Sequence, residues 1–297
     1  MLKALALSAL LVATAAAPSP GVMRDGFMED QTIPVSLDWR VQAARGDGPA
    51  NSVQFELGYH SAHGSSTIGM DLPLASLDGL SAAQVLAARQ PVSFVLHRDA
   101  GDFRCKGVAG AGQGVGTCVF APSQGFPAAL AKRGVGRPGD FQQFALALHD
   151  IGLTYVDELK RQGYATPGVN DLVRAGMHGA GLKYLTAMDA AGYRLHDVAS
   201  LVLARDHGIS AKYIEALATA GYAKLSAEQL VRLHDHGVSA SFVADLASIG
   251  YHDLPADALV RMRDHGVSVS FIRAANHGGE LVAPEELIRR RDRGERG

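Results

Sequence analysis

Residues 205–251 read RDHGISAKYIEALATAGYAKLSAEQLVRLHDHGVSASFVADLASIGY. The segment contains its own echo. His207-Gly208 returns as His236-Gly237, and Gly221-Tyr222 returns as Gly250-Tyr251, each 29 residues on. Followed outward, the same period runs through the second half of the chain without insertions. An aromatic recurs at Phe126, Tyr155, Tyr184, Tyr213, Phe242 and Phe271. A glycine recurs at 134, 163, 192, 221, 250 and 279, and a histidine at 149, 178, 207, 236 and 265. Apolar columns (Val156, Leu185, Ile214, Val243, Ile272 and Leu172, Leu201, Leu230, Leu259) keep the same register. Coincident ladders of this kind mark a repeat architecture.

Each unit reads as two short helices. Ser210 caps the first, Tyr213, Ile214 and Leu217 form its apolar face, and Gly221 supplies the left-handed residue that stops it. Ser226 opens the second helix with Gln229 placed for a capping box, and His236-Gly237 closes it. Helices of about ten residues are unstable alone. Each must bury its face on the next unit, as in a solenoid. Near the C-terminus, Arg289, Arg290, Arg291, Arg293 and Arg296 crowd together, as a polar end cap or docking patch would.

The first half follows a different rule. Val35, Leu37, Trp39 and Val41 alternate with polar residues, as do Val53, Phe55, Leu57 and Tyr59, and then Val92, Phe94 and Leu96. Period two is the strand signature. Ser81–Arg89 reads as a short helix capped by Ser81. The run DAGDFRCKGVAGAGQGVGTCVFAPS reads as a hairpin with strands near 102–107 and 115–120. Cys105 and Cys118 lie equidistant from its centre, so they face each other across the pair and can form a disulfide. The alternative is two buried thiols.

Composition and address bound the function. The chain has 297 residues, 47% hydrophobic and 20% charged, with formal net charge −2. That balance excludes a disordered chain and a nucleic-acid coat. Residues 1–17, MLKALALSALLVATAAA, carry a lysine, a short apolar run and small residues near the end, the pattern of a secretory signal peptide. Its apolar core is shorter than a membrane span needs, although retention as an anchor is the alternative. Export to an oxidising periplasm or beyond favours the disulfide.

The chemistry is sparse. One histidine per stacked unit cannot converge on one metal ion; the column instead suits helix C-termini, where a donor meets orphan carbonyls. No zinc-protease, nucleophile-elbow or P-loop motif occurs. No metal or cofactor is expected. His60, His63 and Asp71 lie in what reads as a polar loop between strands, and they form the alternative catalytic set.

The string at 205–251 resembles repeats appended to some bacterial exported proteins and to membrane sensors of the BlaR1-type metallopeptidase family. The glycine-rich stretch before it resembles the β segment that accompanies those repeats. The resemblance covers about residues 90–297. It implies a repeat scaffold and no peptidase activity, because the zinc motif and membrane spans of that family do not occur here.

The sequence thus predicts an α+β chain. A signal peptide (1–17) and a lead-in (18–33) precede a β-rich domain (34–119) and a solenoid-like array of six 29-residue helical units (120–297). The first functional expectation is a non-enzymatic scaffold that binds a protein or peptide partner in the cell envelope, with no nucleic-acid partner and no membrane span after signal cleavage. Its exposed, variable positions would set specificity: Asp157, Lys183, Lys212, Glu215 and Arg273, with Thr186, Ser241, Ala244 and Ser270. The rivals are an envelope hydrolase using His60, His63 and Asp71, and a regulatory module of an envelope signalling system.

Overall fold

The computed structural model describes residues 33–34, 36–43, 52–61, 64–276 and 280–295. The signal segment, Val35, His63, Gly279 and Arg296 lie outside them. The chain is α+β, a curled antiparallel sheet followed by short helices.

Seven strands form the sheet: β1 (Leu37–Ala43), β2 (Ser52–Ser61), β3 (Gly64–Pro73), β4 (Leu77–Asp78), β5 (Gln90–Leu96), β6 (Gly101–Gly110) and β7 (Gln113–Pro122). Their order is β3-β2-β1-β7-β6-β5-β4. Alternation sends Leu37, Trp39, Val41, Phe55, Leu57, Phe94, Leu96 and Phe103 into the core. Helix α1 (Ala82–Leu86) starts at Ser81 with a capping box to Gln84 and ends three residues before Arg89. One expectation is corrected here. The stretch read as a loop beyond His60 is strand β3, and His60 itself pairs with Ser65 at the end of β2.

The glycines of the β6–β7 hairpin make room more than they give flexibility. Gly107 faces Gly116 directly, and Trp39 of β1 faces Gly116 from the other side. The indole lies over this pair and donates from Nε1 to the Lys106 carbonyl at 3.1 Å. A Cβ on Gly116 would stand 2.7 Å from that indole nitrogen and 2.2 Å from the Lys106 carbonyl oxygen. Ala111 and Gly112 turn the hairpin with φ of 55° and 83°, the left-handed pair that a tight two-residue turn requires. Cys105 and Cys118 are partners in the ladder and are disulfide-bonded.

The helices are α2 (Phe126–Lys132), α3 (Asp140–Leu148), α4 (Leu153–Arg161), α5 (Val169–Met177), α6 (Leu182–Ala190), α7 (Val198–Asp206), α8 (Ala211–Thr219), α9 (Ala227–Asp235), α10 (Ala240–Ser248), α11 (Ala256–Asp264), α12 (Val269–Ala275) and α13 (Pro284–Asp292). From α3 onward they stack in two rows. Odd-numbered helices pack on the next odd-numbered helix, and even on even. Ser210, Ser226, Ser239 and Ser268 each accept from the backbone N–H three residues on, so the predicted caps are formed. Glycine stops with positive φ follow both kinds of helix, for example Gly221 and Gly237. Asp150, which holds a stop position without being glycine, takes φ 56°.

The two regions share one core. Phe144 of α3 meets Phe103, Phe120 and Tyr59 of the sheet. The buried Gln143 amide donates to the carbonyls of Ala100 and Ser123 at 2.7 and 2.8 Å. Asp99 reaches across to accept from the Leu153 N–H, capping α4 from outside its own segment. Arg98, nearly buried, pairs with Asp150 at 3.1 Å.

Candidate functional site

Of the alternative catalytic set, His63 lies outside the described residues, and His60 and Asp71 stand apart on the β2–β3 ladder. Asp71 is exposed on β3 opposite Gln54, while His60 sits opposite Ser65. Six residues of strand separate the two pairs, about 20 Å at ~3.4 Å per residue. A hydrogen-bonded dyad does exist nearby. His97 Nδ1 lies 2.9 Å from Asp102, and its Nε2 lies 3.6 Å from Asp78. The bond to Asp102 raises the His97 pKa above its ordinary value. Among the described residues no serine or threonine side chain bonds this imidazole, and both cysteines are consumed in the disulfide. Nor does any cluster of three or more histidine, cysteine, aspartate or glutamate side chains fit a metal ion among the described residues.

The histidine column behaves differently from the sequence expectation. Its imidazoles do not turn back to the carbonyls of their own helices. Each Nδ1 reaches forward to an aspartate that ends the next helix of the odd row: His178 to Asp206, His207 to Asp235, His236 to Asp264 and His265 to Asp292, at 2.7–2.8 Å. Asp206, Asp235 and Asp264 form a column of their own in the DHG triplets, overlooked because an acidic residue beside a helix end reads as solvated. His149 has no such partner, since Met177 stands where the aspartate would be. It packs beside Gly176 and Ile151, and burial pulls its pKa down to about 4.

A second ladder runs alongside. Arg205 covers the Tyr184 ring, Arg263 covers Phe242 and Arg291 covers Phe271, at 5.0–5.6 Å from the centroids. His234 takes the same place against Tyr213 at 5.1 Å. A cation over an aromatic face is held by the ring quadrupole. The C-terminal arginines are likewise engaged: Arg289, Arg290 and Arg293 converge on Glu286.

The predicted binding column divides. Asp157 is held by Arg133 through two bonds of 2.7 and 2.8 Å, which lower its pKa. Lys183, Lys212, Glu215 and Arg273 are exposed on α6, α8 and α12 and form no ion pair with a described residue. Hollows open on the surface. One of about 360 Å³ lies on the sheet beside Arg40, Glu56 and Tyr59. Another of about 390 Å³ lies beside Arg104 and Thr117. A third, larger than these two at about 740 Å³, opens between the loops that enter α7 and α9. Sequence reading gave no hint of it, because no motif marks a gap between two loops. No known family, curated protein or solved structure matches the chain.

Proposed function

We propose that the protein is an exported, non-enzymatic interaction protein, with a β-rich domain (34–119) leading into a solenoid-like array of six helical units. The array binds a protein or peptide partner along its even-numbered row. One observation carries this reading. Lys183, Lys212, Glu215 and Arg273 stand exposed on that row with no ion-pair partner among the described residues, whereas the histidines and aspartates at the ends of the odd-numbered helices are paired between neighbours. A row of uncommitted charges on short, rigid helices suits recognition of an extended partner. The signal-like segment supports export. So does the disulfide, which persists in oxidising compartments. No helix among the described residues is long and apolar enough to cross a membrane.

The test is affinity capture from cell-envelope extract. The baits are the mature chain, the triple variant Lys183→Glu/Lys212→Glu/Arg273→Glu, and Lys106→Glu on the sheet as a control. A partner kept by the first and third baits and reduced at least ~10-fold on the triple variant supports the reading, equivalent to about 1.4 kcal/mol. Equal capture by all three, or no partner specific to the chain, overturns it.

A further inference from the structure

The Gly-Tyr column closes the seam between successive loops. The Tyr164 hydroxyl accepts from the Leu195 N–H at 3.1 Å. Tyr222 donates to the Leu254 carbonyl at 2.8 Å, and Tyr251 donates to the Val282 carbonyl at 2.7 Å. Tyr193 is the exception. It is only 8% exposed, yet its hydroxyl has no hydrogen-bond partner. Leaving such a group unpaired costs about 1–3 kcal/mol. The seam it should close is the cleft of about 740 Å³.

The backbone shows why the seam stays open. Lys224 and Asp253, 29 residues apart, are the left-handed residues of their loops, with φ of 64° and 53°. In the loop of Tyr193 the left-handed residue falls one place later than that spacing requires, at His196 with φ 66°. The two loops bounding the cleft therefore follow different paths.

The charges in the cleft are specific. Asp189 and Arg194 both line it and neutralise each other at 2.8 Å, with Arg161 adding a second bond to Asp189. Lys224 and Glu228 line it too, and no ion pair joins them. Glu228 accepts from the Ser226 hydroxyl at 2.8 Å, which leaves carboxylate lone pairs free. Lys224 is exposed and has no acidic partner among the described residues. The cleft thus presents one open ammonium, one open carboxylate, the His196 imidazole and a buried phenol. Burial and the Glu228 charge push that phenol up to about 12, so it remains a neutral donor.

We propose that this cleft binds a small zwitterion, an amino acid or short peptide, whose carboxylate meets Lys224 and whose ammonium meets Glu228, with the Tyr193 hydroxyl as a third contact. Its volume lies in the range of small-molecule sites. A ligand carrying both charges satisfies two groups that form no ion pair with each other. A ligand of one sign meets a repelling group along with its partner.

The test is NMR on the full mature chain with carbon-13 at the tyrosine ζ position. The Tyr193 signal is assigned from Tyr193→Phe. The probes are glycylglycine, N-acetyl-glycylglycine and glycylglycine amide. Glycylglycine should shift the Tyr193 signal saturably, and each blocked form should bind about tenfold more weakly. Lys224→Asn removes the cation while tolerating the left-handed backbone, and Glu228→Gln keeps the bond to Ser226. Each should weaken glycylglycine about tenfold. Glu228→Gln should not weaken the acetylated probe, nor Lys224→Asn the amide, because each substitution removes the group that repels that probe. No shift at concentrations on the order of 50 mM, equal binding of all three probes, or binding indifferent to both substitutions overturns the proposal.

Discussion

The sheet and the helical rows solve the same packing problem in opposite ways. In the sheet, one large side chain is seated by removing others. Trp39 fits because Gly107 and Gly116 carry no side chain, and it bonds a carbonyl 67 residues away. In the helical rows no single residue is so placed. Stability is divided among equivalent links, each tying one unit to the next: His207 to Asp235, Arg263 over Phe242, Tyr184 to the Ile209 carbonyl. A sheet built on one keystone should fail abruptly, whereas a row of shared links should fail by small steps.

The largest expected effect tests the keystone. Gly116→Ala places a methyl against backbone and indole, so it should cost about 3 kcal/mol, the upper end for overpacking. Trp39 is the only tryptophan, so its fluorescence reports the sheet alone. Thermal melts followed by fluorescence and by helical dichroism should show the fluorescence transition falling furthest. An unchanged melt would remove the keystone account. Next comes the disulfide. Its cysteines are 13 residues apart, and reduction should cost about 3 kcal/mol by loop-closure entropy. Urea unfolding with and without reductant measures this, and a loss confined to the helical signal contradicts the assignment to the sheet.

A third effect lies where the regions meet. His149 is held neutral, with its pKa lowered to about 4 by burial. The unfolded chain takes up a proton below about 6.5 and the folded chain does not, so stability falls as pH drops from 6.5 towards 4. The loss approaches about 3 kcal/mol at the lower end. His149→Asn should flatten that slope in urea titrations at pH 7 and 4.5; an equally steep slope in the variant sinks the assignment. The smallest effect sharpens the comparison within the helical rows. Tyr222→Phe should cost about 1 kcal/mol. Tyr193→Phe should cost nothing, because its hydroxyl has no bond to lose. Equal losses in the two variants would show that the seam at Tyr193 is closed in solution.

Much of the helical region was legible because its rules are local. A serine cap, an apolar face and a glycine stop all lie within one turn of the helix they define, and Ser210, Ile214 and Gly221 hold those places. What escaped was anything reaching one unit forward, such as the aspartates that receive the histidines. In the sheet the legible parts were again local: the Ser81 cap and the Cys105–Cys118 pairing. Strand β3 escaped although Ile68, Met70 and Leu72 alternate along it: its first half is small and polar, and as an edge strand it buries none of residues 65–73. The glycine-rich hairpin was found, but the reason for its glycines was not. For Gly107, Gly114 and Gly116 that reason is Trp39, which reaches the hairpin only through the pairing of β1 with β7.

That pairing also sets an order of events. Leu37 finds Cys118 as its ladder partner, so β1 lacks its second neighbour until the chain has emerged to the last strand. A segment crossing a membrane from its N-terminus would hold β1, β2 and β3 waiting with an open edge, and open edges invite pairing with other chains. Past Leu153 the need for waiting ends. There the longest side-chain hydrogen bond among the described residues spans 32 residues, and contacts of short range form fast. The part of the chain that appears first is therefore the part that must finish late.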